Sequence, residues 1–142
     1  MKNRVFRMPQ TDELLIKQIV GLAMKVHRTL GCSFVESVYR NALVIELRQA
    51  MIAFECHPTL SVMYEGVEVG AFQADLIIGD KLIIELKAVD TLASAHATQL
   101  INYLAATKIE NGLLLNFGST SLEFRTKTLH YHKTQEPPEL HS

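Results

Sequence analysis

Asp75, Glu85 and Lys87 are the residues whose types and spacing could do chemistry. They read Ala-Asp, nine residues, then Glu-Leu-Lys, in two short apolar segments joined by Ile78-Gly79-Asp80-Lys81. Side chains alternate along a strand, so Glu85 and Lys87 project from one face. Asp75 is close enough in sequence for a hairpin to bring it alongside. Two carboxylates can hold a hard cation such as Mg²⁺ or Mn²⁺. An adjacent ammonium can orient a water or stabilise negative charge developing at phosphorus. Together these groups suit phosphodiester cleavage.

The hairpin must have a particular register for this to work. A two-residue turn at Gly79-Asp80 would pair Ile78 with Lys81 and leave Asp75 and Glu85 on opposite faces. A shift of one residue, through a three-residue turn or a bulge, gathers the apolar sets on one side and the three polar residues on the other. The patterning therefore predicts an irregular hairpin. For Asp75 the plain alternative is a solvated residue near a strand end, although strand interiors are depleted in Asp. For Glu85, planted in Leu82-Ile-Ile-Glu-Leu86, it is a buried ion pair with Lys87, which desolvation usually makes unprofitable.

Further candidates lie on the flanking helices. Glu36 follows Ser33 at the spacing of a capping box, a role contributing roughly 0.5–2 kcal/mol, and could also serve as an outer metal ligand. His96, Gln99 and Tyr103 form one stripe of the third helix, opposite the packing stripe of Leu100, Ile101, Leu104 and Ala105. The polar stripe has no Lys or Glu, only groups that bond to phosphate, base edges or water. Gln99 and Tyr103 are candidate substrate or water positioners. His96 has the intrinsic pKa of a general acid–base, or is a hydrogen-bonded histidine at the edge of the core. The phosphate-cradling, dinucleotide, zinc-protease and serine-hydrolase motifs are absent.

The elements that must position these groups follow from periodicity. Thr11 to Leu30 is a helix with Leu15, Ile19, Leu22, Val26 and Leu30 on one stripe, capped by Thr11 and stopped by Gly31. A second helix runs from Ser33 to about Ala50. Strands are predicted over 54–64, 67–78 and 81–89, with Pro58 marking an edge or bulge. A helix follows over 94–108, then a turn at Asn111-Gly112 and strands over 113–117 and 122–131. The order α-α-β-β-β-α-β-β predicts an α/β (mixed α+β) domain, a mixed sheet with helices against it. One domain is expected over 11–133, with an extension at 1–10 and a frayed tail at 134–142.

Composition narrows the partners. The 142 residues are 48% hydrophobic and 20% charged, with a formal net charge of -1. No global positive field attracts nucleic acid, so binding to DNA or RNA must rest on a local patch and a metal. Cys32 and Cys56 form no CxxC and are expected as reduced thiols, consistent with a cytoplasmic setting. The basic N-terminus lacks the apolar run of a secretory signal, and no stretch of 18 apolar residues could span a membrane. His130 and His132 alternate near the end of the chain, a weaker place for a metal.

Longer pieces of the chain resemble the GxxExxY proteins, a group within the PD-(D/E)XK nuclease-like superfamily. The pieces are His27-Arg-Thr-Leu-Gly31, Phe34-Val-Glu-Ser-Val-Tyr39, Asn41-Ala-Leu43, Glu46-Leu47, Tyr64-Glu-Gly66, Ala74-Asp-Leu76, Ile84-Glu-Leu-Lys-Ala-Val89, Gln99-Leu-Ile-Asn-Tyr-Leu104 and Gly112-Leu-Leu-Leu-Asn-Phe-Gly118. Ser33 stands where the group's name has glycine, and Ala74 where the superfamily's name has proline. The resemblance implies a restriction-endonuclease-like core and a Mg²⁺-dependent site at Asp75, Glu85 and Lys87. It implies that Glu36 is the acidic residue of a preceding helix, and that Gln99 and Tyr103 are a motif of the following one. Two functions are carried forward: a metal-dependent nuclease, and a non-catalytic nucleic-acid-binding or protein-interaction module on the same fold. Assembly as a homodimer could complete the cleft.

Overall fold

The computed structural model describes residues 11–130. Helix α1, Asp12–Leu30, begins where Thr11 accepts the Leu14 amide at 3.1 Å, with Asp12 and Glu13 in its first turn. Helix α2 covers Glu36–Gln49, so it starts later than the expected Ser33. The capping box is not formed: Val35 is the N-cap and makes no side-chain cap bond. The reason lies in Tyr39. Its hydroxyl donates to the Gly31 carbonyl at 2.6 Å and accepts the Phe34 amide at 3.1 Å, holding the linker outside the helix. The ring is fully buried and stacks on Phe117.

Among the described residues seven strands follow in place of the expected five, because two predicted strands each divide. The first becomes β1, Glu55–Cys56, and β2, Thr59–Tyr64, split at His57-Pro58, where His57 has a φ of 60°. The second becomes β3, Val67–Gln73, and β4, Leu76–Ile78, split at Ala74-Asp75. Strand β3 therefore leaves the central sheet and pairs with β2 in a separate two-stranded ribbon. Strand β5, Leu82–Lys87, is followed by helix α3, Ser94–Thr107, then β6, Asn111–Asn116, and β7, Glu123–Thr128. Asn111-Gly112 opens β6 and is not a turn, since both residues are paired with β5 on one side and β7 on the other, and the Leu100 side chain packs close over Gly112. Tyr131, the 1–10 extension and the 134–142 tail lie outside the described residues.

The main sheet runs β1-β4-β5-β6-β7. Strands β5 and β6 are parallel, as a helical crossover such as α3 permits, and the other pairs are antiparallel. On one face Leu76, Ile78, Leu82, Ile84, Leu86, Leu113 and Leu115 pack against α1 and α2. On the other, Ile77, Ile83 and Leu114 pack against Ala97, Leu100 and Leu104 of α3. The result is a mixed α/β domain of three layers, with the ribbon attached on the α3 side by Leu60 and by Phe72 stacked on Tyr103 at 3.8 Å. On β5 the even positions face α1 and α2, and the odd positions, including Glu85 and Lys87, face α3.

Candidate active site

Register decides the site. Ile78 pairs with Leu82 and Leu76 with Ile84, so Gly79, Asp80 and Lys81 form a three-residue turn, one of the two irregular forms that the patterning allows. Gly79 sits at a φ of 59°, a conformation glycine reaches without Cβ strain. Extending the ladder by one pair sets Asp75 opposite Glu85. The backbone pairing stops there, and side chains close it. The Asp75 amide donates to Glu85 Oε2 at 3.0 Å, and the Leu86 amide donates to Asp75 Oδ2 at 2.8 Å. The Asp75 main chain is fixed further because its carbonyl accepts the His57 amide at 2.8 Å. The strand break and the interlock thus come from the same residue.

Both carboxylates are buried, Asp75 at 9% and Glu85 at 6% exposure. Burial, and then the negative charge of Asp75, push Glu85 up to about 8, and the Asp75 amide and Lys87 pull it back only partly. Lys87 lies at the half-buried end of β5, and its carbonyl accepts the Phe117 amide at 2.8 Å. No Glu85–Lys87 ion pair forms among the described residues. The ion pair falls elsewhere: Arg40 on α2 donates to Asp75 Oδ1 at 3.1 Å. Sequence reading missed Arg40. The available signal was that it lies one helical turn beyond Glu36, on the same stripe of α2.

The other candidates are distributed around this pair. Tyr103 is partly buried on α3, and its hydroxyl is raised above the ordinary tyrosine range by burial and by the charges of Glu85 and Asp75. Gln99 is exposed one turn earlier on the helix. His96 is engaged at the start of α3, where its Nδ1 accepts the Ala93 amide at 3.0 Å and its own amide donates to the Ala93 carbonyl. Glu36 is half-buried at the first residue of α2. Among the described residues no three carboxylate, imidazole or thiol side chains converge on one point, so Glu36 is not gathered with Asp75 and Glu85. His130 is an exposed residue just beyond β7, and His132 lies outside the described residues.

A buried polar network sets the loop that follows Lys87. Asn116, fully buried, accepts the amides of Val89 and Gly118 and donates to the Val89 carbonyl and to Glu123. Glu123 also accepts the Leu92 amide, and these bonds hold its carboxyl below the usual carboxylate range. This clamp was not read from the sequence, because Asn116 and Val89 are 27 residues apart.

The family model of the PD-(D/E)XK nuclease superfamily matches residues 13–128. The chain belongs to that superfamily. The matched span contains every candidate residue except His130 and His132. Among solved structures, the crystal structure of SSO0001 is similar at a TM-score of 0.52 and 15% identity, covering 88% of this chain and 71% of that one. At that identity the likeness concerns the fold. No curated protein matches the sequence. No helix of the described residues is long and apolar enough to cross a membrane.

Proposed function

We propose that the protein is a divalent-metal-dependent nuclease that hydrolyses DNA or RNA phosphodiester bonds. The observation that carries this reading is the interlocked pair of desolvated carboxylates, Asp75 and Glu85, with Lys87 on the same strand face. The donor set fits a hard cation: both ligands are carboxylate oxygens, each with a further lone pair, and Glu85 lacks a neighbouring charge sufficient to ionise it at neutral pH. Mg²⁺ or Mn²⁺ held by Asp75 and Glu85 would supply Lewis-acid charge at the phosphate. Lys87 orients the attacking water and stabilises the charge developing on the phosphate oxygens. Tyr103 donates a hydrogen bond to the substrate, and the exposed Gln99 amide contacts its backbone or bases. Glu36, at the start of α2 and apart from the pair, would act on a bound cation only through intervening water, while His96 fixes the start of α3.

The test is a panel of single-stranded, double-stranded and branched nucleic acids with Mg²⁺ and Mn²⁺. Glu85→Gln and Lys87→Ala are each expected to lower kcat by at least about 100-fold without unfolding the protein, the scale of losing one preorganised transition-state contact. Wild-type rates in either variant would sink the mechanism. The second reading, a module that binds nucleic acid or protein without cleaving it, is favoured by the Arg40–Asp75 ion pair, which already neutralises one of the two ligands. Calorimetric titration separates the two. A single Mn²⁺ site abolished by Asp75→Asn belongs to the enzyme, and silence even with nucleic acid present belongs to the module.

A further inference from the structure

Arg40 sits where a cation is wanted. Its guanidinium lies 3.1 Å from Asp75 Oδ1, and the two side chains are only 18% and 12% exposed, so water screens the contact little. A buried partner of this kind can act by shaping its neighbour or by charging it, and the surroundings separate these effects. Asp75 is already oriented without Arg40: its Oδ2 accepts the Leu86 amide, its carbonyl accepts the His57 amide, and its own amide is bonded to Glu85. Three bonds from other elements fix its backbone and its rotamer. What remains for Arg40 to contribute is a positive charge against one of the two cation ligands. No ion pair to Glu36, one turn earlier on α2, diverts that charge among the described residues.

We propose that Arg40 is a positioning residue that sets the divalent-cation affinity of the Asp75–Glu85 pair, an internal cation that an incoming metal ion must work against. The inference rests on the metal-dependent reading above. Charge repulsion between the guanidinium and a doubly charged ion a few ångströms away outweighs any loss of orientation when Arg40 is removed, because the orientation is held elsewhere. The site is therefore weaker for metal than two carboxylates alone would be. That leaves the substrate's own phosphate to complete cation binding.

The experiment is calorimetric titration of the metal-free protein with Mn²⁺, comparing wild type with Arg40→Gln, Arg40→Ala and Arg40→Lys, with circular dichroism melts as the check on folding. Arg40→Gln keeps hydrogen-bonding capacity and loses the charge, so it is expected to bind Mn²⁺ about tenfold more tightly than wild type. Arg40→Ala should follow it, and Arg40→Lys should stay near wild type. Unchanged or weaker binding in a folded Arg40→Gln overturns the inference while leaving the metal site standing. Absence of Mn²⁺ binding in wild type and Arg40→Gln alike overturns the metal-dependent reading and this inference with it. Binding seen only once the charge is removed supports the inference strongly.

Discussion

Glu85 is a carboxyl placed where ionisation is costly, and its pH behaviour follows from that. Burial and Asp75 raise it from 4.5 to about 8, so in the metal-free protein the folded state holds a proton that the unfolded chain has lost. Below about 4.5 both states are protonated, and whatever stability the neutral group contributes is fully present. As pH rises from there the unfolded chain releases its proton first, and stability falls until the folded group also ionises near 8. At roughly 1.4 kcal/mol per pKa unit the total amounts to a few kcal/mol. Glu85→Gln, which cannot ionise, should flatten this slope and make the metal-free protein more stable than wild type at pH 8 to 9. Urea melts of both proteins from pH 5 to pH 9 measure it, and a parallel pH dependence in the two would refute the assignment.

At the scale of elements, the sheet and α3 are coupled through the short loop after Lys87. Gly118 approaches that loop so closely that a Cβ would lie 2.4 Å from the Val89 amide nitrogen and 2.6 Å from the Ala88 carbonyl carbon. Those are backbone atoms, which cannot rotate away as the end of a side chain can. Gly118→Ala is therefore expected to cost at least about 1–3 kcal/mol and to displace the Val89 bonds to Asn116. Asn116→Leu should be worse, because it leaves the half-buried Val89 amide and carbonyl without their Asn116 partners, each costing up to about 1–3 kcal/mol. Thermal melts read the stability. Amide exchange at Val89 and Leu92 reads whether the loop, and not the whole fold, has been released. Protection unchanged at both amides in a stable Asn116 variant would disprove the clamp.

For the whole molecule the governing facts are three layers and a charge near balance. The two helices of one layer, the sheet and α3 bury the apolar residues in two separate clusters. The candidate site lies at the end of β4 and β5, where α2 brings Arg40 and α3 brings Tyr103. The ribbon of β2 and β3 is attached beside it through Phe72 and Tyr103, with Met63, Tyr64, Val67 and Val69 exposed. With a formal net charge of -1 the protein has no net positive charge to draw in many phosphates. Nucleic-acid binding in the presence of Mg²⁺ should therefore depend only shallowly on monovalent salt. The expected slope of log K against log salt is about -1 to -3, at roughly -0.9 per duplex phosphate neutralised. A slope near -8 in fluorescence anisotropy would contradict a focused, metal-centred contact.

Local chemistry determined much of this protein. The stripe of Leu15, Ile19 and Val26 with Thr11 before it made α1. Alternation about Gly79 favoured an irregular hairpin, by a three-residue turn or a bulge, and either form puts Asp75 opposite Glu85. Those features depend on residues within a dozen positions of one another, where periodicity and turn geometry carry the information. Four things were decided only by tertiary structure. No proline interrupts the segment 67–78, yet it divides between two sheets, and at the break the Asp75 side chain takes the Leu86 amide in place of a continued backbone ladder. Ser33 and Glu36 have capping-box spacing, but the Tyr39 hydroxyl, fixed by stacking of its ring on the distant Phe117, claims the linker first. Arg40 reaches Asp75 across 35 residues, and Asn116 reaches Val89 across 27. Pairings at that separation leave no periodic trace, since they depend on which helix lies across which strand end, and packing of the whole core sets that.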